Sequence, residues 1–437
     1  MSASLIGISG IVLMVMVFLT RMPVSYVMAL IGFLGFSFMI SVEGGLNLLA
    51  KDIYSVFGSY DLTTIPLFIL MGQLAFNTGI SRRLYDTAYK YLGSTRGGLA
   101  IATISACTAF GAVCGSSPAT AATMATVGLP EMKRFNYADE LAAGVVASGG
   151  GLGMIMPPSV VLLVYGVLTQ QSIGKLFVAG IVPAFLVTVL FCATILIWCT
   201  LKPNQGPRGE SFSWKVRLQS IRDLGETISV FLLVMGGLFF GWFTPTEAAA
   251  IGVFGVALVS TLRRQMTWPR FVSALYDTLK TSCMVMMLIA GAVVFGKFMA
   301  VTRIPFDIAA WIEHLNLSPV LILSMVILVY FIGGCFMDSL ALVMLTVPIF
   351  YPLVMQLGYD PIWFGIIIVM VTEMGVITPP VGINVYVVYG VALGMKNDIA
   401  LESIFKGVLP FLLAVIIGII IVTTFPQAVL FLPNLMY

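Results

Sequence analysis

The chain has 437 residues, of which 59% are hydrophobic and only 9% are Asp, Glu, Lys or Arg. Soluble domains carry roughly 25% charged residues, so a water-solvated globule is excluded and a lipid bilayer is the solvent. The net charge of +3 comes with no basic run of the kind that binds nucleic acid.

Apolar runs of about 20 residues recur from Leu5 to Leu432, each long enough to span a bilayer as a helix. They do not alternate as the strands of a membrane barrel do. The fold class is therefore an all-α polytopic membrane protein. Ser4–Thr20 has no basic stretch before it and no small-residue cleavage site after it, so it is expected as a retained first span. In chain order the pattern predicts scaffold helices over 1–80, an amphipathic arm over 81–96, and a hairpin over 97–135. A broken helix over 138–168 and a helix over 174–201 follow. The polar stretch 202–226 reads as a cytoplasmic linker. Residues 227–437 repeat the order: scaffold 227–302, arm 303–316, hairpin 318–356, broken helix 361–391 and helix 404–430. The six cysteines, Cys107, Cys114, Cys192, Cys199, Cys283 and Cys335, lie in apolar segments without a CxxC and read as small buried side chains.

The two halves, 1–201 and 227–437, match in sequence. "MPPSVVLLVYG" at Met156 answers "TPPVGINVYVVYG" at Thr378, and "GQLAFNTGI" at Gly72 answers "GKFMAVTRI" at Gly296. Pro157 and Pro379 are 222 residues apart, as are Pro23 and Pro245, and Pro130 and Pro352. If the N-terminus lies outside and both hairpins dip in and return, 18 of the 22 Lys and Arg fall inside. The positive-inside rule favours that topology, which makes the repeats antiparallel and puts both termini outside.

Each hairpin arm has about 15 residues, too few to cross a core of about 30 Å, so the hairpins read as re-entrant. The first tip is Gly115-Ser116-Ser117-Pro118; the offset places Asp338 and Ser339 at the second. Non-helical backbone at membrane depth survives only where protein buries it or it lines a polar cavity. Asp338, an ionisable group in an apolar segment, marks an ion or substrate path. The breaks are expected over Gly149–Pro158 and Glu373–Pro380. A broken helix frees carbonyls on one half and N–H groups on the other; the first suit hard cations and the second suit anions. Candidate cation ligands are Ser116, Ser117, Thr120, Ser148 and Ser159 with carbonyls from Gly149 to Gly153. At the second site they are Asp338, Ser339, Thr372, Thr378 and Asn384 with carbonyls around Gly375. Glu373 is either a ligand or a structural hydrogen-bonding group. The substrate-facing set is Ser116, Ser117, Pro157, Pro158, Ser159, Thr378, Pro379, Pro380 and Asn384.

"GSSPATAATMATVGLPEM", "GGGLGMIMPPS", "CFMDSLALVMLTVPIFYPL" and "TEMGVITPPVGINVYV", in this order, resemble the large membrane subunit of tripartite ATP-independent periplasmic (TRAP) transporters. The resemblance covers essentially the whole chain. It implies a location in the bacterial inner membrane with periplasmic termini, a small four-helix membrane subunit and a soluble periplasmic binding protein as partners. It also implies an organic-anion substrate such as a C4-dicarboxylate or a sialic acid, and coupling to sodium at two or more sites. The implied fold is similar to that of elevator-type ion transporters, with hairpins and broken helices forming a transport domain that slides against the early helices of each half. The alternatives are a stand-alone sodium-coupled carboxylate carrier and a Na+/H+ antiporter. An intramembrane enzyme is disfavoured: His314 is the only histidine and sits on an arm, where it reads as a surface residue, and there is no HExxH or Walker A motif.

Overall fold

The computed structural model describes residues 3–18, 20, 22–304, 307, 317–395 and 399–436. Among them the chain is helical without a strand. The helices are α1 (Ala3–Phe18), α2 (Val24–Met39), α3 (Val42–Phe57), α4 (Thr64–Asn77), α5 (Ile80–Leu92), α6 (Gly98–Cys114), α7 (Ser117–Arg134), α8 (Asp139–Ile155), α9 (Val160–Thr169) and α10 (Ile173–Leu201). The second half has α11 (Trp214–Phe239), α12 (Pro245–Leu262), α13 (Trp268–Thr302), α14 (Pro319–Phe336), α15 (Ser339–Gln356), α16 (Pro361–Ile377), α17 (Ile383–Gly394), α18 (Leu401–Thr424) and α19 (Gln427–Asn434). Seven helical segments among the described residues are long and apolar enough to cross a membrane. The order of hairpin, broken helix and long helix occurs twice, as α6–α10 and as α14–α18, in an all-α fold of two inverted-topology repeats. The second arm, 303–316, falls mostly outside the described residues, as do His314, Arg21 and Lys396.

Local chemistry sets the ends of the hairpin helices. Gly115 ends α6 in the left-handed region (φ 65°), with its N–H donated to the Gly111 carbonyl at 2.9 Å. Pro118 then sits in the first turn of α7, where its missing N–H costs nothing. At the second tip Asp338 caps α15, its carboxylate accepting the Leu340 N–H at 3.0 Å. With 17 residues, α6 is about 25 Å long at a rise of ~1.5 Å, short of the ~30 Å core, whereas α14 and α15, with 18 residues each against the expected 15 or so, are among the seven segments long enough to cross.

The first break is shorter than expected. Helix α8 continues through Gly149, Gly150, Gly151 and Gly153 to Ile155, and the non-helical stretch is Met156–Ser159. The glycines stay helical because the space beside them is filled by other elements. A Cβ on Gly150 would lie 2.6 Å from the Ala121 Cβ, one on Gly149 2.8 Å from the Cys107 sulfur, and one on Gly111 2.7 Å from the Gly153 Cα. Each glycine costs about 1 kcal/mol of helix propensity, and backbone-close packing of α8 on α6 and α7 offsets it. The prolines end the helix, since neither Pro157 nor Pro158 has an N–H to give. The second break likewise spans Thr378–Gly382, later than expected. Both Pro–Pro bonds are cis.

The polar stretch 202–226 is also not a plain linker. Residues 205–212 strap across the base of the first hairpin. Gly97 N–H donates to Gly206 O at 3.0 Å, Ala138 N–H to Gln205 O at 3.0 Å, and the Tyr137 hydroxyl to Pro207 O at 2.7 Å. On the arm side, Gly209 N–H donates to Gly93 O at 2.8 Å and Glu210 N–H to the Tyr89 hydroxyl at 3.1 Å. Helix α11 then starts at Trp214 and packs on α5. The expected helix 404–430 ends at Thr424, with the short α19 starting after Pro426.

Helices α1–α4 and α11–α13 pack into one layer, in which α13 lies on α2 and α4, and α4 on α12. Lys297 of α13 pairs with Asp52 of α3 at 2.5 Å inside this layer. The second layer centres on α8, which touches α6, α7, α16 and α18. The layers meet where α4 packs on α6 and α13 on α15, the sides that carry the hairpin tips.

Candidate functional site

Each tip lies against its own break. A Cβ on Gly115 would lie 2.4 Å from the Pro158 carbonyl, so only glycine allows the approach, and Val160 N–H donates to Gly115 O at 3.4 Å. At the second site Val381 N–H donates to Cys335 O at 3.3 Å, and a Cβ on Gly375 would lie 2.5 Å from the Gly334 carbonyl carbon.

Both tips open onto one cavity of about 310 Å³ between the two layers. Ser116, Ser117, Asp338 and Ser339 line it together with Met154 and Val376, and Gln73 and Thr281 face them from α4 and α13. Among the described residues no Lys or Arg lines the cavity, and Asp338 is its one carboxylate. The N-termini of α7 and α15 both end at it; the first N–H groups of α7 have no side-chain cap, whereas at α15 the Asp338 carboxylate takes the Leu340 N–H.

The remaining sequence candidates divide by what holds them. Asn384 does not reach the cavity. Fully buried, its Nδ2 donates to Ser117 Oγ at 2.8 Å and to the Ala147 carbonyl at 3.0 Å, so it ties the second broken helix to the first tip. Ser159 is spent on capping α9, accepting the Leu162 N–H at 3.3 Å. Thr378 Oγ donates to the Met374 carbonyl at 2.6 Å, and Thr372 Oγ to Val369 O at 3.0 Å. Thr120 Oγ donates to Ser116 O at 2.8 Å. Pro157, Pro158, Pro379 and Pro380 shape the breaks without lining the cavity.

Oxygen donors without partners remain near both sites. Ser148 Oγ and Ser339 Oγ are buried with no hydrogen bond. The Gly153 carbonyl faces Pro157 four residues on, which has no N–H to donate, whereas the helical carbonyls before it are paired; the Gly149 carbonyl is one of these and is not free. Gly375 O accepts the Thr378 N–H at 3.0 Å. Glu373 is fully buried, and both its oxygens lack partners. Its side chain fills the space over Gly151, where a Cβ would lie 2.5 Å from the Glu373 Cγ. Three or more His, Cys, Asp or Glu never cluster among the described residues.

Two helical hairpins whose tips meet broken helices around one shared cavity are the architecture of a secondary membrane transporter. The family model described as "Tripartite ATP-independent periplasmic transporter, DctM component" matches residues 11–428, and the chain belongs to that family. It is 38% identical to the C4-dicarboxylate TRAP transporter large permease protein DctM of Pseudomonas aeruginosa, covering 88% of this chain and 89% of that one. It is 35% identical to the isethionate TRAP transporter permease protein DctMQ of Oleidesulfovibrio alaskensis, covering 88% of this chain and 60% of that longer protein. The YdaH transporter of Alcanivorax borkumensis shares the fold at 14% identity, with a TM-score of 0.64 over 88% of this chain and 90% of that one.

The sequence reading missed Gln73 and Thr281. A single amide inside the apolar run "TIPLFILMGQLAFN" was the available signal for the first; Thr281 carried none.

Proposed function

We propose that this chain is the large membrane subunit of a sodium-coupled importer of an organic anion. It would work in the inner membrane, termini periplasmic, with a small four-helix subunit and a periplasmic binding protein that delivers the substrate. One observation carries the coupling: the cavity shared by both tips holds a carboxylate, Asp338, and no cationic side chain. An anion entering it meets a like charge. A cation bound beside Asp338, where the neighbouring Ser339 hydroxyl has no hydrogen-bond partner, reverses that sign. Binding of anion and cation thus become one event, as symport requires. The acidic group of the substrate then lies at the N-terminus of α7, whose first N–H groups have no side-chain cap.

The inequivalent surroundings of the repeats support an elevator movement of the hairpin layer along the scaffold layer. Pro157 and Pro158 are buried, while their counterparts Pro379 and Pro380 are exposed. Proteoliposomes containing both membrane subunits test the reading. Uptake is expected to need the binding protein and an inward sodium gradient. Full uptake without the binding protein refutes the tripartite arrangement, and uptake driven equally by a proton gradient without sodium refutes the coupling ion.

A further inference from the structure

The scaffold touches the substrate cavity at a place the repeats do not share. Gly72 of α4 lies against the first tip: a Cβ there would sit 3.0 Å from both the Cα and the carbonyl oxygen of Cys114. Its neighbour Gln73 is thereby held at the cavity wall, opposite Asp338 and Ser339. The Gln73 carboxamide has no hydrogen-bond partner among the described residues. Thr281 of α13 lines the same wall with its hydroxyl also free, whereas Thr278, one turn before it, spends its own on the Ala274 carbonyl at 2.6 Å. In the second repeat the residue matching Gln73 is Lys297, and that ammonium is neutralised by Asp52 inside the scaffold. The scaffold therefore presents the cavity with a neutral amide and a hydroxyl.

We infer that Gln73, assisted by Thr281, is a specificity-determining substrate contact that binds a second polar group on the organic anion, opposite its acidic end. The inference rests on the transport function proposed above. A carboxamide both donates and accepts, so it fits a hydroxyl, an amide or a second acid group, and it discriminates against a bare hydrocarbon end. The substrate class is then a compact organic acid with polar groups at both ends, of a size admitted by about 310 Å³. Because Gln73 belongs to the scaffold, its contact exists only while the tips face α4. It selects the substrate in this state and leaves the ion ligands on the hairpins untouched.

The test is sodium-driven uptake by proteoliposomes holding the full chain, its small subunit and its binding protein. The probes are paired organic acids that differ by the polar group at the far end: succinate against butyrate, and isethionate against ethanesulfonate. In the wild type the more polar member of a carried pair is expected to be preferred. In Gln73→Ala that preference is expected to fall about 10-fold or more, through KM, with the sodium concentration for half-maximal uptake unchanged. Thr281→Val, a substitution of nearly equal shape, is expected to reduce the preference in the same direction. An unchanged preference in both variants overturns the inference, as does loss of uptake in Gln73→Ala accompanied by an unchanged preference in Thr281→Val. A wild type that carries neither pair overturns the compact-acid substrate class inferred here, whereas uptake of its own anion without sodium or without the binding protein overturns the proposed transport function, a distinct result.

Discussion

Replacing Asp338 by Asn separates its charge from its shape. Asn caps a helix about as well as Asp, so α15 keeps the bond now made by the Leu340 N–H at 3.0 Å. What disappears is the carboxylate of a cavity of about 310 Å³. Such a volume is roughly 8 Å across, which puts a centred anion about 6 Å from the carboxylate once side-chain radii are included. Two like charges at about 6 Å repel by roughly 3 kcal/mol at an effective dielectric near 20, which is about 100-fold in affinity. Water in the cavity screens part of this, leaving roughly 10- to 100-fold. Without sodium, Asp338→Asn is therefore expected to bind the anion about 10- to 100-fold more tightly than the wild type does without sodium. The rise in affinity on adding sodium should shrink by a similar factor, and coupled uptake should fall. Calorimetric titration of the purified transporter in sodium and in choline buffers measures both quantities. If the variant keeps the wild-type affinity in choline together with the full wild-type response to sodium, Asp338 is not the charge that links anion to cation.

Three further outcomes follow from the packing. Gly151→Ala places a methyl 2.5 Å from the Glu373 Cγ in a fully buried interface, and is expected to cost about 1–3 kcal/mol, read as a lower melting temperature in detergent. An unchanged melting temperature would mean that α8 and α16 can part freely. Asn384→Ala strips bonds from Ser117 and from the Ala147 carbonyl, and is expected to cost about 1–3 kcal/mol and to lower substrate affinity by loosening the first tip. Wild-type affinity and stability together would show that the tip needs no such tie. Tyr137→Phe removes the bond to the Pro207 carbonyl, worth about 1 kcal/mol, and so should speed tryptic cleavage at the exposed Arg208 about 5-fold. Equal cleavage rates would show that the strap is not held by this hydroxyl.

The offset of 222 residues between Pro157 and Pro379 made the paired tips and breaks legible, because proline acts locally through its missing N–H. Glycine acts differently, and there the sequence was ambiguous. Gly149–Gly153 reads as a breaker by propensity but serves as a landing strip for Cys107, Ala121 and Glu373, which are distant in the chain. Only the prolines end that helix. The stretch 205–212 looked like a linker by composition, because backbone bonds to Gly93, Gly97 and Ala138 leave no mark in a sequence. The start of α11 was hidden for a different reason: it packs on α5 through the polar Arg217 and Ser220, while Trp214, Leu218 and Ile221 stay exposed. Ser159, Thr372 and Thr378 were reasonable ligands by type, yet each hydroxyl is taken by nearby backbone, a competition that clustering at a break does not reveal.

The two breaks share their sequence pattern but not their surroundings, and that difference bears on mechanism. The first is closed in by α10, where Gly180 lets the helix come close enough that a Cβ would lie 2.8 Å from the Ile155 carbonyl. The second presents Pro379 and Pro380 outward. In the first hairpin α6 is buried along nearly its whole length, whereas α14 carries exposed Val320, Met325, Leu328, Ile332 and Phe336. Two related structures in one layer would have similar surroundings if that layer sat midway along its partner. It sits to one side instead, with Gly72 seated against the first tip. A pseudo-symmetric body docked off-centre has a related docking on the other side, and the two differ in energy only by the difference in their contacts. In the elevator movement proposed above, the cavity lined by both tips would travel with that body, while Gln73 and Thr281 would stay behind. Substrate selectivity from the scaffold and ion coupling from the tips are therefore separable by mutation, and the paired variants Gln73→Ala and Asp338→Asn should affect different columns of the same kinetic table.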